Sequence, residues 1–504
     1  MYFLKRCITM KKFLIISLLL FLIFGFLSCS NNNDEKNTPI ENEILNEDDS
    51  FFYIDFKNYP VKNKKLPIGI FDSGTGGLTV LDAMINSDNF NNQSHTPEIS
   101  GDKKIDFLNE SFIYLGDKAN MPYGEYSGKN KTDLLKEHII KDVQFLLGNK
   151  YYRSQNAEDY SIDKNQVKAI VIACNTATAY GKKDIEEFIK KSGLDIKVIG
   201  VIGAGVRGAL EKIDKMEDAA IGIMATAGTC ASNGYPNTVA EQKFNLNYFG
   251  DIITFQQAGI GLAAAIDGEK DYLDASLTAI RNDYRGPSFT NKNALIDKSI
   301  IQRYNFDFLN NKILFNGNVE NPTEIQINSI DNYIKYHVVS LLETIKNSKS
   351  KIKLKSVILG CTHYPFFMDN FKNEFKSTYN YKENGEFVYR NFMEENIELV
   401  DPAINTAKEL YSYLNENNLF NTGNIENSEF YISVPNPDNK SNKMKDAYNF
   451  TYEFKYGRNS GEIQEYIKNV PFSDSTISND LMERLKEQIP FTYSLIKTYT
   501  NSIK

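Results

Sequence analysis

VKAIVIACNTA, residues 167–177, is a mostly apolar, β-branched run that ends on Cys174, Asn175 and Thr176. Such a run suits a strand buried on both faces, as in a parallel sheet covered by helices on each side. Runs of the same kind recur at LPIGIF (66–71), SFIYLG (111–116), IKVIGVI (196–202), AAIGIM (219–224), SVILG (356–360) and NIELVD (396–401). Each is trailed by small residues and then a helical pattern, so the alternation predicts an α/β layered fold. In such sheets ligands gather at the carboxyl ends of strands. The residues just after each strand are therefore the ones to read for chemistry.

Two strand ends echo two others. PIGIFDSGTGG (67–77) resembles AIGIMATAGTC (220–230), and VIACNTA (171–177) resembles VILGCTHYP (357–365), in the same order. The expectation is two pseudo-symmetric α/β lobes with mostly parallel sheets and an active site in the cleft between them. Cys174 and Cys361 then reach that cleft from opposite sides. Either cysteine alone reads as a small buried hydrophobe. Their polar neighbours, Asn175 and Thr176 beside one, Thr362 and His363 beside the other, suggest more. A thiol titrates near about 8.5, and a nearby imidazolium or helix N-terminus lowers that value. A thiolate facing a thiol makes a base and an acid on opposite faces of a substrate, which inverts a carbon stereocentre.

Asp72 directly follows the first strand in DSGTGG. It reads as a turn or helix cap, or as an acid that shuttles a proton or binds a substrate ammonium. Gly74, Gly76 and Gly77 allow backbone N–H groups to approach an anion, but G-x-x-x-x-G-K-[ST] is absent. In MPYG (121–124), Tyr123 and Gly124 either wall a pocket or make a turn. GAGVRG (203–208) matches the dinucleotide pattern, yet the next strand ends in Ala225-Thr226 without the acid that should bind a ribose.

The chain has 504 residues, 41% apolar and 24% charged, with a net charge of −8. Ordinary globular usage excludes wholesale disorder, and the acidic balance argues against nucleic-acid binding. Five cysteines and four histidines, with no Cys-x-x-Cys, argue against a disulfide scaffold or a structural zinc site. FLIISLLLFLIFGFLS (13–28) follows Lys11 and Lys12 and precedes Cys29, the layout of a signal peptide. Leu27-Ser28-Cys29 resembles a lipoprotein signal in which Cys29 is acylated. The predicted partner there is a lipid membrane and the predicted place is exported, anchored to the cell envelope on its periplasmic or outer surface. Removing residues 1–28 takes away four basic residues and no acid, shifting the charge from −8 to −12. The expected organisation is a signal peptide at 1–28, a flexible tether at 29–65 and a two-lobed domain at 66–434. Lobe 1 takes about 66–200 plus 380–434, and lobe 2 about 201–379 with an insertion in 231–355. Residues 435–504 are a C-terminal extension without an assigned role.

IGIFDSGTGGLTVL, YLGDKANMPYGEYS, VIACNTATA, VIGVIGAGVRGA and LGCTHYPFF, in this order, resemble the aspartate/glutamate racemase family, most closely its glutamate-specific members. VDPAINTA (400–407) is a weaker continuation. The resemblance implies cofactor-free racemisation of an amino acid, with no metal, and a role in peptidoglycan-related D-glutamate metabolism. By position it makes Cys174 and Cys361 the two bases, assisted by Asp72 and His363. Substrate contacts fall on Asp72, Ser73, Tyr123, Gly124, Asn175, Thr176, Thr362 and His363. The histidine after Cys-Thr favours glutamate over aspartate, and a homodimer is a further expectation. The chain departs from the family in its export signal, in the length of 231–355, in its extension, and in Gly203-Ala204-Gly205 where Glu-Pro-Gly is usual. Two alternatives stand beside this reading: a racemase for another or several amino acids, and a surface binding protein that kept the fold without turnover.

Overall fold

The computed structural model describes residues 36–98, 101–266, 270–473, 475–477 and 479–503. The expected signal peptide and Cys29 lie outside the described residues. Among the described residues, no helix is long and apolar enough to cross a membrane.

Fourteen strands are described: β1 (Ile68–Asp72), β2 (Phe112–Gly116), β3 (Ala169–Ile172), β4 (Lys197–Gly200), β5 (Ala219–Ala225), β6 (Ile252–Ala258), β7 (Ile313–Gly317), β8 (Pro322–Ile327), β9 (Leu354–Gly360), β10 (Lys382–Glu383), β11 (Glu386–Phe387), β12 (Met393–Val400), β13 (Glu429–Pro435) and β14 (Ile467–Pro471). They form a six-stranded sheet, β14-β13-β2-β1-β3-β4, and a four-stranded sheet, β12-β9-β5-β6. Within these lies the predicted echo. The cores β2-β1-β3-β4 and β6-β5-β9-β12 share one order, with the Ile-Gly-Ile strand inside and the cysteine-bearing strand beside it. All their pairings are parallel. The molecule therefore has two α/β lobes with mostly parallel sheets. β1, β2 and β3 are buried at every residue, which is why their sequences lack polar alternation.

The lobe boundaries differ from the expected ones. β12 pairs with β9, so the chain stays in the second lobe past residue 380. It re-enters the first sheet at β13, parallel to β2. β14 then adds antiparallel to β13, so part of the extension is sheet edge. The helix Gly234–Asn245 and β6 belong to the second lobe's core, and the added chain is the region around the antiparallel β7–β8 hairpin.

The described part of the expected tether is packed. Thr38 opens the helix Pro39–Asn46 with a capping box to Glu41. Ile40 and Ile44 are buried, and Glu41 pairs with Lys191 at 3.0 Å. Tyr59 Oη donates to the Val167 carbonyl at 2.7 Å. The polar composition hid two isoleucines at i and i+4, a single apolar stripe on one face.

GAGVRG sits in the helix Val201–Leu210 as a packing surface. A Cβ at Gly205 would lie 3.0 Å from Pro402 Cγ, and one at Gly208 2.2 Å from Asn405 Nδ2. The small residues let this helix approach the helix Pro402–Glu416 closely, and they serve that contact without a dinucleotide.

Candidate active site

Cys174 lies two residues past the end of β3 and caps the helix Asn175–Lys191, accepting the Ala177 N–H at 3.4 Å. Its thiol donates to Ser73 Oγ at 3.6 Å. Asp72 ends β1, the neighbouring strand, and folds back on its own loop. Its carboxylate accepts Gly77 N–H at 2.9 Å and Gly74 N–H at 3.2 Å. A Cβ at Gly77 would lie 2.5 Å from Asp72 Cβ, so this loop needs glycine there.

Burial and the nearby Asp72 push the Cys174 thiol up to about 12, against the lowering pull of the Ala177 N–H. A lowered value was expected from the helix N-terminus. Desolvation outweighs it, because a thiolate here gives up water for only a few long contacts, from the Ala177 N–H and from Ser73. Burial likewise raises the Asp72 carboxyl, opposed by the Gly77 N–H and the charge of His363. Asp72 thus lies within electrostatic reach of both Cys174 and His363.

Cys361 follows β9 directly and is buried, with Sγ 3.6 Å from His363 Nδ1. The lobes touch around both thiols. Thr79 Oγ1, from the first lobe, donates to the Thr362 carbonyl at 2.9 Å. A Cβ at Gly76 would lie 2.9 Å from Thr362 Oγ1 and 3.0 Å from His363 Cε1. From the other side, Tyr235 Oη donates to Asn175 Oδ1 at 2.8 Å, and Thr176 Oγ1 meets Thr229 Oγ1 at 3.5 Å. The Gly124 and Gly228 backbones also abut, with a Cβ on Gly228 falling 2.7 Å from Gly124 Cα.

Nine of the ten residues singled out from the sequence therefore converge at this lobe boundary. Tyr123 is the exception. Its side chain is fully buried inside the first lobe, with Oη 2.6 Å from Asp117 Oδ2 and 2.7 Å from Asp142 Oδ2. It anchors the loop instead of walling a pocket with its ring.

A cavity of about 150 Å³ opens between the lobes, lined in part by Asn175, Cys361, Thr362, Thr79, Asp82 and Asp401. Cys174, Asp72 and His363 do not line it. Asp401 was not singled out. It caps the helix Pro402–Glu416 by accepting the Ala403 N–H at 2.8 Å, and burial pushes its carboxyl up to about 6. The signal was present, since Asp401 ends the run NIELVD and precedes a proline. Tyr235 and Thr229 were missed because nothing local marks a residue that reaches across a cleft. Among the described residues, no cluster of His, Cys, Asp and Glu could hold a metal ion.

No protein-family model matches the chain. It is similar to the protein named glutamate racemase of Oceanobacillus iheyensis, 31% identical over 183 residues, which cover 36% of this chain and 50% of that protein. It is also similar to those of Clostridium novyi, 28% identical over 305 residues (60% of this chain, 73% of that protein), and Thermoanaerobacter sp., 27% over 382 residues (76% and 91%). The first match spans only half the length of its relative. A solved structure of glutamate racemase isoform RacE1 from Bacillus anthracis aligns with 73% of this chain and 88% of its own, at 21% identity and a TM-score of 0.41. The three sequence relatives bear out the resemblance to the aspartate/glutamate racemase family, and their names support a racemase.

Proposed function

We propose that this chain is a cofactor-independent amino-acid racemase that interconverts L- and D-glutamate with two opposed thiols. One observation carries the reading: Cys174 and Cys361 end equivalent strands of two lobes that touch around both of them. A binding protein has no need of that arrangement. The relatives' names support glutamate as the substrate.

The proposed chemistry follows from the surroundings of each thiol. With the lobes together and no substrate, the Cys174 thiol holds its proton. A bound amino acid brings an α-ammonium, and a cation beside a buried thiol favours its thiolate. One thiolate removes the α-proton, and the thiol on the far side delivers another to the planar carbanion. Asp72 and His363 act on the two thiols from within the cleft, Asp72 toward Cys174 and His363 toward Cys361. In this reading the polar side chains Ser73, Asn175, Thr176 and Thr362 hold the substrate's carboxylates, while the Gly74 and Gly77 N–H groups of the DSGTGG turn stay on Asp72. Because the lobes meet at Gly76, Thr362 and His363, substrate entry requires them to part. That closure excludes water from the carbanion. An exported, lipid-anchored form supplying D-glutamate for peptidoglycan-related metabolism is part of the same proposal, resting on residues 13–29.

The test uses an amino acid with a leaving group on its β-carbon, whose elimination needs only deprotonation. A serine hydroxyl is far less acidic than a thiol, so Cys174→Ser and Cys361→Ser should each stop racemisation. By position in the family it resembles, Cys174 takes the α-proton of the D-form and Cys361 that of the L-form, so Cys174→Ser should still eliminate from the L-form and lose the D-form, with Cys361→Ser the reverse. Equal loss or equal retention of both enantiomers in both variants contradicts the two-base assignment.

A further inference from the structure

The extension past residue 435 does more than edge the first sheet. The helix Tyr452–Gly457 and the residues after it lie along the loop that carries MPYG. Lys455 Nζ donates to the Met121 carbonyl at 2.5 Å, and Tyr456 Oη to the Pro122 carbonyl at 3.5 Å. Arg458 Nη2 donates to Asn120 Oδ1 at 2.9 Å. Lys131, just past the short helix Gly124–Gly128 that follows the loop, donates to the Gly457 carbonyl and to Asn459 Oδ1. Arg458 is itself held, 7% exposed, with its guanidinium about 5 Å from the Phe450, Phe454 and Tyr466 ring centroids.

The other side of this loop meets the candidate site. A Cβ at Gly74 would lie 2.5 Å from Met121 Sδ, which places Met121 over the DSGTGG turn. Gly124 abuts Gly228 of the second lobe. The loop has little regular structure of its own between the short helices Lys118–Asn120 and Gly124–Gly128. Its place is set from one side by Tyr123 on Asp117 and Asp142, with Ser433 Oγ donating to Asp117 at 2.6 Å. From the other side it is set by the extension.

We infer that residues 451–461 are a brace that fixes the loop Met121–Gly124 over the candidate site, with Lys455 and Arg458 as positioning residues. A bond from an ammonium to a carbonyl is charge-assisted and stronger than a neutral one. It holds a backbone group that no strand or helix secures. The inference rests on the proposed racemase site for its kinetic consequence, and on the contacts alone for its structural one.

The test compares amide hydrogen exchange of residues 118–126 in the parent, Lys455→Met and Arg458→Gln, on the full chain. Loosening a locally stabilised segment should speed exchange there by about tenfold, while exchange of the strands β1 and β3 stays as in the parent. Lys455→Met removes a partly exposed side chain and keeps the result readable if Arg458→Gln fails to fold. Lys455→Arg should restore slow exchange. In the racemase assay, Lys455→Met should raise KM about fivefold and change kcat less than about twofold, because the loop orients substrate without touching the reacting carbon. Unchanged exchange at 118–126 in Lys455→Met overturns the brace, whatever the activity. Faster exchange in Lys455→Met, beside a parent that racemises nothing, leaves the brace standing and removes the proposed function instead.

Discussion

Cys174 is held by a balance of opposing effects. The helix N-terminus favours its thiolate, burial and Asp72 oppose it, and the thiol titrates at about 12 against 9.0 for an unperturbed cysteine. The folded state thus keeps this proton at a pH where the unfolded chain has lost it. Its contribution to stability is complete below pH 9 and is lost as pH rises towards 12. Replacing Cys174 by Ala should therefore flatten the fall of stability with alkaline pH. At about pH 11 the pH-dependent part of the difference should reach roughly 3 kcal/mol, measured by denaturant unfolding across the range. An alkaline slope identical to the parent's would contradict a thiol with so high a value. Most of the residues that meet at the lobe boundary were legible in the sequence because they follow strand ends; Tyr123, which turns inward onto Asp117 and Asp142, was not. The direction of this titration was not, since desolvation depends on how many neighbours the fold packs around a group.

The helix Pro402–Glu416 shows how an element joins the two lobes. It follows β12 of the second sheet, packs on the helix Val201–Leu210 through Gly205 and Gly208, and leads into β13 of the first. Asp401 caps it with a carboxyl that burial raises from 3.8 to about 6. Burial favours the protonated form, so this group's contribution to stability is full below pH 3.8 and lost as pH rises through 6. Asp401→Asn keeps an oxygen for the Ala403 N–H and removes the buried charge. A shift of two units corresponds to about 3 kcal/mol, offset by up to about 1 kcal/mol for the lost attraction to the helix N-terminus. The variant should be more stable than the parent by about 2 kcal/mol near pH 7.5, with the gap closing near pH 4. A variant less stable at both values would show that the carboxylate, not the amide, is what the cap requires. At this scale the parallel strands were readable from their apolar runs. β6 and β14 were not, because β6 is only half-buried along most of its length and β14 alternates between buried and half-buried residues. The packed segment around Pro39–Asn46 was read as a tether because its few apolar residues are scattered among acids and asparagines.

Across the whole molecule, the echo between PIGIFDSGTGG and AIGIMATAGTC proved to be a repeat of strand order, β2-β1-β3-β4 against β6-β5-β9-β12. That repeat is what turns two cysteines far apart in sequence toward one boundary. Shared order was legible because each half carries the same succession of strand-end motifs. The crossing contacts Thr79–Thr362 and Tyr235–Asn175, and the extension's hold on Met121, depend on distant segments meeting, and no local pattern encodes them. The central claim is that the α-proton leaves to one lobe and its replacement comes from the other. Incubating L-glutamate with the protein in deuterium oxide and measuring α-deuterium in each enantiomer at early times tests it most directly. Two opposed thiols predict D-glutamate fully deuterated at the α-carbon while the remaining L-glutamate still carries protium. D-glutamate that retains the substrate's own α-hydrogen, or L-glutamate that gains deuterium as fast as D-glutamate forms, would contradict it.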